Sequence, residues 1–417
     1  MARKMKDSGI EWIGEIPEGW SIARGKHILT LLQRAVFPTD GVITCFRDGE
    51  VTLRSNRRED GFTVSLKEIG YQGIEPGDLV VHGMDGFAGS IGISDSRGKS
   101  SPVLVVLDSS QDKKYLMYYL RSMAYNNVFL ALSTGIRVRS CDLKWNKLAD
   151  LLYLVPPIVE QHKLVSFLDE KCSEIDAMLS KTRASIEEYK KLKQAVITQA
   201  VTKGVRGERE MKDSGVEWIG EIPKEWDILN LVAHTSMLTP MRDRPENLDG
   251  PIPWIRIEDF DGKYISSSKA SLGVSKETVR SMNLKIYPVG TILCTSSCIM
   301  GKCAIVSREL VSNQRFIGII PDQNTCENFL YYLMLSNSER MNYLATGALQ
   351  ANLSRSSFEH LKVQFPSYQE QKEISDYLDT KCAEIDKLIA KKEQLVKELE
   401  SYKKSLIYEV VTGKREV

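Results

Sequence analysis

The stretch EQHKLVSFLDEKCSEID at residues 160–176 returns as EQKEISDYLDTKCAEID at residues 370–386, with nine identities in seventeen positions. A second segment, MKDSGIEWIGEIP at 5–17, returns as MKDSGVEWIGEIP at 211–223 with one change in thirteen positions. The residues between these repeated segments hardly match. A chain that keeps its framework twice while two enclosed segments diverge is predicted to hold two different binding surfaces in one fixed geometry.

A regular apolar spacing runs through each copy of the longer segment and continues beyond it. Alternating steps of four and three residues from Leu168 and from Leu378 mark ten positions in each copy, of which eight are apolar. A spacing near 3.5 residues over this length indicates a coiled-coil seam, so we expect two long helices that pair with each other. The alternative is that each helix folds back onto its own domain. The predicted seam includes Leu168, Ile175, Leu179, Ile186 and Val196 in the first helix and Leu378, Ile385, Ile389, Val396 and Leu406 in the second.

Prolines and glycines mark the predicted ends of these helices. Pro156-Pro157 and Pro366 stand where the helices should begin, because proline is tolerated in the first turn of a helix and not later. Gly204 and Gly413 follow the last seam residues, as glycine commonly does after a helix. The predicted domains are a globular domain over 1–155, a helix over 156–208, a second globular domain over 209–365 and a second helix over 366–417, with anchor segments at 5–20 and 211–226.

The globular domains are predicted to mix strands with short helices. Strand-like apolar runs lie at 78–81, 102–107, 291–294 and 316–320, and aromatic helical patterns lie at 115–120 and 329–335. The predicted fold class is therefore α+β, with two similar mixed α/β domains, two long helices and an internal repeat.

Composition describes an ordinary globular protein. The chain has 417 residues, of which 42% are hydrophobic and 27% charged. It contains no run of about eighteen apolar residues and no apolar signal-peptide core near the N-terminus, so we expect no membrane partner and a cytoplasmic location. The eight cysteines form no paired framework and are expected to be free thiols.

The distribution of charge says more than the net charge of +1. Between Arg97 and Lys147 there are nine basic residues and three acidic ones. Such an excess fits contact with phosphates, although a solvated surface is the equally simple alternative.

The sequence patterns of the common catalytic sites are absent. There is no phosphate-binding GxxxxGK[ST] loop, no HExxH pair and no motif for amino-group methylation. Cys294, Cys298 and Cys303 could suggest a metal, but no fourth ligand is evident, so buried thiols are the preferred interpretation. We therefore expect a chain that is not an enzyme by itself and that holds neither metal nor cofactor.

Candidate recognition residues are arginine, lysine, asparagine and glutamine side chains in loop-like positions. Arginine can donate two hydrogen bonds to guanine O6 and N7, and asparagine can pair with adenine N6 and N7. For any one of them, a surface or packing role is the alternative. The candidates are Arg54, Asn56, Arg57, Arg58, Lys99, Arg137, Arg139 and Lys144 in the first half, and Arg242, Arg244, Arg256, Gln314, Arg315, Gln350, Asn352 and Arg355 in the second.

Three features together resemble a known family. These are the twin EWIGEIPxxW anchors, the proline–EQ helix entries and the closing VTKG and VTG segments, and they resemble the specificity subunits of type I restriction–modification systems over the whole chain. Departures are small: Ser367 stands where the first copy has Pro157, and the second helix ends in TG.

The resemblance implies a division of labour. Two target recognition domains would each read one half of a split double-stranded DNA site, and two antiparallel helices would set the spacer. Two modification subunits that carry S-adenosylmethionine would methylate adenines, and a restriction subunit that uses ATP and Mg²⁺ could join them. The alternatives are a coiled-coil scaffold that binds only proteins and a self-sufficient restriction enzyme.

Overall fold

A computed structural model of the chain describes residues 3–57, 68–131, 142–240, 243–297, 300–345 and 352–417. The chain divides into two compact units. The first unit is Met1–Arg183 with Gln394–Val417, and the second unit is Ala184–Glu393.

The described part of the first unit contains twelve strands and the first helices. The strands are β1 (Met5–Asp7), β2 (Glu15–Pro17), β3 (Ser21–Arg24), β4 (Leu29–Leu31), β5 (Ile43–Cys45), β6 (Val51–Leu53), β7 (Gln72–Ile74), β8 (Leu79–His82), β9 (Ile91–Ile93), β10 (Gly98–Ser100), β11 (Leu104–Ser109) and β12 (Leu152–Val155). The helices are α1 (Lys113–Tyr125), α2 (Val128–Ala131), α3 (Trp145–Asp150) and the long α4 (Ile158–Lys203), which continues into the second unit.

The second unit repeats this element order with additions. Its strands are β13 (Met211–Asp213), β14 (Glu221–Pro223), β15 (Asp227–Asn230), β16 (Thr235–Leu238), β17 (Ile252–Ile255), β18 (Tyr264–Ile265), β19 (Gly273–Val274), β20 (Ile292–Thr295), β21 (Cys303–Val306), β22 (Val311–Ser312), β23 (Phe316–Pro321) and β24 (Lys362–Phe365). Its helices are α5 (Lys276–Ser281), α6 (Glu327–Ser336), α7 (Ser338–Leu344), α8 (Arg355–Glu359) and the long α9 (Tyr368–Val411), which ends in the first unit.

Each unit is built on an equivalent central sheet. The order is β4-β11-β8-β9 in the first unit and β16-β23-β20-β21-β18 in the second. The pairings are antiparallel, except that the added edge strand β18 runs parallel to β21. The four apolar runs predicted as strands form β8, β11, β20 and β23, because β-branched side chains on both faces are buried there. The predicted mixed α/β fold is confirmed.

Each unit also contains a short hairpin at its anchor and a separate two-stranded ribbon at the entry to its long helix. The anchor hairpins are β1–β2 and β13–β14, and the ribbons are β3–β12 and β15–β24. The anchor tryptophans Trp20 and Trp226 are each 1% exposed. Each anchor is therefore a packed segment of its unit's core.

The long helices pair in an antiparallel sense in each unit. In the first unit, Arg183 forms an ion pair with Glu400 at 2.5 Å and Lys403 with Asp176 at 2.6 Å, so the residue numbers rise along one helix as they fall along the other. In the second unit, Lys193 bonds Asp386 at 2.7 Å. Neither helix folds back alone onto its domain.

Seven of the ten predicted seam residues are buried and three are half-buried. Leu168, Ile175, Leu179, Ile186, Leu378, Ile385 and Leu406 are no more than 7% exposed, and Val196, Ile389 and Val396 are intermediate. The domain boundaries predicted along the chain remain a prediction. In the structure, residues 394–417 belong to the same compact unit as the first globular domain. Among the described residues, no helix has both the length and the apolar character that a membrane span requires.

Candidate nucleic-acid interface and its supporting frame

The repeated glutamates at the helix entries attach the anchors. In the second unit, Glu370 is 3% exposed, accepts a hydrogen bond from Trp226 Nε1 at 3.0 Å and pairs with Arg209 at 2.7 Å. In the first unit, Glu160 pairs with Arg3 at 2.5 Å. Each arginine guanidinium also lies over the ring of its anchor tryptophan. Arg3 is 5.5 Å from the Trp20 centroid, and Arg209 is 5.2 Å from the Trp226 centroid. The buried carboxylate of Glu370 needs such compensation, and Arg209 together with the anchor residue Trp226 supplies it.

The repeated glutamines that follow hold a second helix in place. Gln161 Oε1 accepts from the backbone N–H of Asp112, the residue that caps α1, at 3.0 Å. Gln371 Oε1 accepts from the N–H of Cys326, which precedes α6, at 2.8 Å. Each amide nitrogen donates back to the carbonyl of the proline that precedes its own long helix, at 2.9 and 3.0 Å.

The repeated aspartates of the LDxK motif bind the same two helices at a second point. Tyr118 of α1 donates its hydroxyl hydrogen to Asp169 at 2.8 Å, and Tyr332 of α6 donates to Asp379 at 2.6 Å. The positions that are identical in the two copies of the repeat thus fix each globular domain onto a long helix. What the domain displays elsewhere is free to differ.

In the first unit, a cleft of about 810 Å³ opens beside the β5–β6 hairpin. Its floor is apolar, with Ile43 and Leu104 buried, and its rim carries Arg54 and Arg57. The structure therefore brings two of the predicted DNA-binding residues to one concave surface.

The predicted residues on this hairpin are held by local partners. Arg54 Nε donates to Thr44 Oγ1 at 3.3 Å, and Arg57 pairs with Asp48 at 2.5 Å. Asn56 is exposed, and its amide donates to a threonine hydroxyl in β6 at 2.9 Å. Arg58, Arg137 and Arg139 lie outside the described residues.

The basic residues predicted as a phosphate-binding patch are largely matched by carboxylates. The ion pairs are Arg97–Asp40 at 3.1 Å, Lys99–Glu68 at 2.7 Å, Lys113–Asp108 at 2.9 Å, Lys114–Asp169 at 2.6 Å and Lys144–Asp142 at 3.0 Å. Lys144 is 72% exposed and Lys99 only 16%. Counting charges along the chain overstated this patch, because several of the acidic partners come from outside the counted segment.

In the second unit, the structure brings two predicted segments together at the end of β20. The N–H of Ser296 donates to the carbonyl of Arg315 at 2.8 Å, and its carbonyl accepts from Leu353 at 2.9 Å, directly after Asn352. Arg315, Asn352 and the neighbouring Gln314 are exposed. These three candidates therefore share one edge of the second domain.

Two of the remaining candidates of the second unit form local ion pairs. Arg256 pairs with Glu258 at 3.1 Å, and Arg355 pairs with Glu359 one helical turn away at 2.7 Å. Arg244 is exposed. Arg242 and Gln350 lie outside the described residues.

Cysteines 294 and 303 occupy directly paired positions of β20 and β21, with their sulfur atoms 2.6 Å apart. Burial raises the pKa of the Cys294 thiol. Cys298 lies outside the described residues, and within them no group of three His, Cys, Asp or Glu side chains is arranged to hold a metal ion.

Three rim residues of the first-unit cleft were missed by the sequence analysis. Arg47 and Asp85 form an ion pair at 3.1 Å, and His82 lies beside them. The only signal was the glycine-rich turn at 82–89, which predicts a turn without indicating which strand it faces.

Comparison with known proteins supports the assignment of fold and family. Residues 227–398 match the family model of the type I restriction modification DNA specificity domain. The chain is 34% identical over 181 residues to the MjaIX specificity subunit of a type I restriction enzyme from Methanocaldococcus jannaschii, which covers 42% of this chain and 41% of that relative. It is 24% identical over 426 residues to the MjaX specificity subunit of the same organism, which covers 96% and 95%.

Two solved structures share the fold. A chain from a study of complex assembly and conformational transition in the type I R-M system superposes with a TM-score of 0.75, at 12% identity, over 96% of this chain and 99% of that one. The HsdS subunit from Thermoanaerobacter tengcongensis gives a TM-score of 0.51 at 14% identity over 96% and 98%.

Proposed function

We propose that the chain is a specificity subunit of a type I restriction–modification system and that its two globular domains each read one half of a bipartite, asymmetric DNA site. As a specificity subunit it recognises DNA and is not itself an enzyme. The observation that carries the proposal is the contrast between frame and surface. The hydrogen bonds of Gln371 and Asp379 and the arginine pair of Glu370 have direct counterparts in the first unit, whereas the residues between the repeated segments hardly match.

The two long helices are proposed to set the number of unread base pairs between the half-sites. Helix α4 has 46 residues and α9 has 44, which correspond to roughly 69 and 66 Å at 1.5 Å per residue. A buried seam and matched ion pairs in each unit stiffen such a pair. Both the length and the rotational phase of the spacer would then be fixed.

The catalytic steps are proposed to belong to partner subunits. Two modification subunits would carry S-adenosylmethionine and methylate adenines, and a restriction subunit would use ATP and Mg²⁺ for cleavage. The proposed location is the cytoplasm, where the DNA and these partners are. A scaffold that binds only proteins has no support in the comparisons.

The outer side of the helix pair suggests where two copies of one partner would dock. Met178 and Leu388 are 54% and 41% exposed, and Leu192 and Tyr402 are 47% and 49% exposed. The members of each pair are 210 residues apart, and each residue directly precedes a seam position. Coiled coils usually place charged residues beside the seam, so apolar residues repeated in both copies favour a partner that binds twice.

The DNA-reading proposal is tested by methylation of a random plasmid library. The purified chain with its modification subunit is expected to methylate one bipartite motif and no other sequence. Methyl groups scattered without a motif would contradict the proposal. Methylation or cleavage by the chain alone would instead support the self-sufficient enzyme.

The spacer proposal is tested by lengthening both helices together. Seven residues inserted after Arg183 and seven after Glu393 preserve the seam and add about 10.5 Å to each helix. The motif is expected to keep both half-sites and to gain about three unread base pairs, at about 3.4 Å each. The same insertion in one helix alone is the control, and it should disrupt assembly. An unchanged gap in the double insertion would refute the helix ruler.

A further inference from the structure

The cleft of the first unit has a rim of alternating charge above an apolar floor. Arg47 pairs with Asp85 at 3.1 Å, and Arg57 pairs with Asp48 at 2.5 Å, so each guanidinium lies directly beside a carboxylate. A surface built to hold phosphates would expose cations alone, since a carboxylate repels the DNA backbone. The rim therefore fits a ligand that offers hydrogen-bond acceptors and donors side by side.

Asp85 is held firmly in its place on the rim. His82 Nδ1 accepts hydrogen bonds from the backbone N–H groups of Asp85, at 3.0 Å, and of Met84, at 3.3 Å. Burial lowers the pKa of His82, which keeps its ring neutral and Nδ1 available as an acceptor near neutral pH. The Asp85 carbonyl in turn accepts from Ala88 N–H at 2.9 Å. The turn that carries the carboxylate is thus organised before any ligand arrives.

Arg47 is accessible, and its ion pair does little for stability. Its side chain is 57% exposed and that of Asp85 is 30% exposed. Exposed ion pairs of this kind contribute little to folding. Among the described residues, Arg47 is bonded through one nitrogen only, whereas a guanidinium carries five N–H donors. The remaining donors can bind a ligand while the pair with Asp85 orients the group.

We propose that Arg47 and Asp85 together read the major-groove edge of one G·C base pair in the half-site of the first domain. This rests on the proposed function. Guanine presents acceptors at N7 and O6, and the paired cytosine presents the N4 amino donor beside O6. O6 and N4 are hydrogen-bonded to each other, about 2.9 Å apart, which matches the 3.1 Å between the arginine nitrogen and the carboxylate oxygen.

The neighbouring residues Arg57 and Asp48 offer a related combination of groups, with the difference that Arg57 also pairs with Glu50 at 3.0 Å. Burial acts to raise the pKa of Asp48, but the hydrogen bonds from Arg57 and from the backbone N–H of Glu50, together with the positive charge of Arg57, leave the pKa lowered. The carboxylate is therefore an ionised acceptor at neutral pH. A second G·C pair read by these two residues is the natural extension of the first.

The test is the methylation motif of Arg47→Ala and Asp85→Ala in complex with the modification subunit. Each variant should relax the same single G·C position, by about 5- to 150-fold in preference over the other bases, and leave the other half-site unchanged. Arg47→Lys keeps the charge but loses the planar fork, so it should relax that position as well. If Arg47 only touched phosphate, Arg47→Ala would weaken all sequences uniformly and Arg47→Lys would restore binding, and that result would overturn the inference.

Arg24→Ala is the matched control, because Arg24 forms a similarly exposed pair with Asp150, at 3.7 Å, outside the cleft. It should leave the motif unaltered. Thermal unfolding of each variant shows that the first unit is folded. If the wild-type complex has a bipartite motif and folded Arg47→Ala keeps that motif unchanged, the G·C inference is refuted and the proposed function is not. A wild-type complex without any bipartite motif would sink the proposed function as well.

Discussion

At the scale of single residues, the glutamine at the helix entry makes three hydrogen bonds with one side chain and joins the segment before α6 to the start of α9. The amide of Gln371 accepts from Cys326 N–H at 2.8 Å and donates to the carbonyls of Pro366, at 3.0 Å, and Asn324, at 3.2 Å. A side chain that both accepts and donates is required, because the hydrogen bonds to Cys326 N–H and to the Pro366 carbonyl are buried. An ionised glutamate of similar size could accept but not donate, and leucine could do neither.

Replacing Gln371 by leucine should therefore destabilise the second unit. The side chain is 2% exposed, and the loss leaves a buried N–H and carbonyl without partners, at about 1–3 kcal/mol for each group. We expect a clear fall in the midpoint of urea unfolding. Gln369→Leu, two residues away and exposed, is the control and should change stability by no more than about 0.5 kcal/mol. Equal midpoints for the two variants would contradict this account.

The pair of Arg97 and Asp40 predicts a dependence on pH. The hydrogen bond from Arg97, followed by that from the backbone of Phe37, lowers the pKa of Asp40 below its ordinary value of 3.8. The ionised carboxylate therefore stabilises the fold above that value, and the contribution is lost as the pH falls through the lowered pKa. The stability difference between the wild type and Asp40→Asn should be constant from pH 5 to 7 and shrink below about pH 3.8.

Urea unfolding at pH 6 and pH 3 measures this difference. In an Arg97→Met background, Asp40→Asn should have a smaller pH-dependent effect, because the main cause of the lowered pKa is gone. The same pH dependence in both backgrounds would assign the effect to other groups.

The recognition residues could be predicted by type but not by environment. Arg57 stands in a polar turn that the sequence identifies as a binding candidate, and the structure places it on a cleft. Its partners Asp48 and Glu50 lie in the turn between β5 and β6. Asp85, the partner of Arg47, lies in a turn after β8. Such pairings depend on how hairpins pack on the sheet, which local patterns do not encode.

At the scale of elements, the long helices were predictable because their burial follows one period for ten positions. The short strands β5, β6, β7 and β10 were not, since each has only three residues and no apolar run. They exist because of tertiary pairing, β5 with β6 and β7 with β10. The periodicity of apolar residues identifies a helix or strand only when the element is long enough to contain several repeats.

The seam predicts a contrast between two positions on the same helix. Leu168 is fully buried in the core of the first unit, whereas Met178 is 54% exposed. Leu168→Ala should cost about 2–5 kcal/mol, and Met178→Ala, as the control, about 0.5 kcal/mol or less. Denaturant unfolding measures both. Comparable losses would show that the seam is not the stabilising contact.

At the scale of the whole molecule, the first unit is closed by segments that are far apart in the sequence. Gly413 lies so close to the anchor that an added Cβ would be 2.4 Å from Pro17 and 3.2 Å from Trp20. Arg3 pairs with Glu160 and covers Trp20. Sequence repeats predicted two similar units, but not this closure, because the contacts join residues about 400 positions apart.

The second unit has the same closure with a continuous backbone, and this predicts a circular permutant. Gly204 and Gly413 both adopt positive φ, at +75° and +72°. Four residues, Val205 to Glu208, connect Gly204 to Arg209. Fusing Val417 directly to Arg3 would place four residues, Lys414 to Val417, between Gly413 and the arginine equivalent to Arg209.

A chain that begins at Gly207 and ends at Arg206, with Val417 joined to Arg3, is therefore expected to fold and to methylate the same bipartite motif with its partner. An added Cβ at Gly207 would meet nothing within 4 Å, so the new ends lie in open space and break no buried contact. A permutant opened at Gly318, in the middle of β23, is the control and should fail to fold, because it cuts a central strand. Circular dichroism and motif sequencing measure the outcome. Loss of the motif in a folded Gly207 permutant would mean that the covalent link from Gly204 to Arg209, and not the closure of the second unit by its other contacts, sets the geometry of recognition.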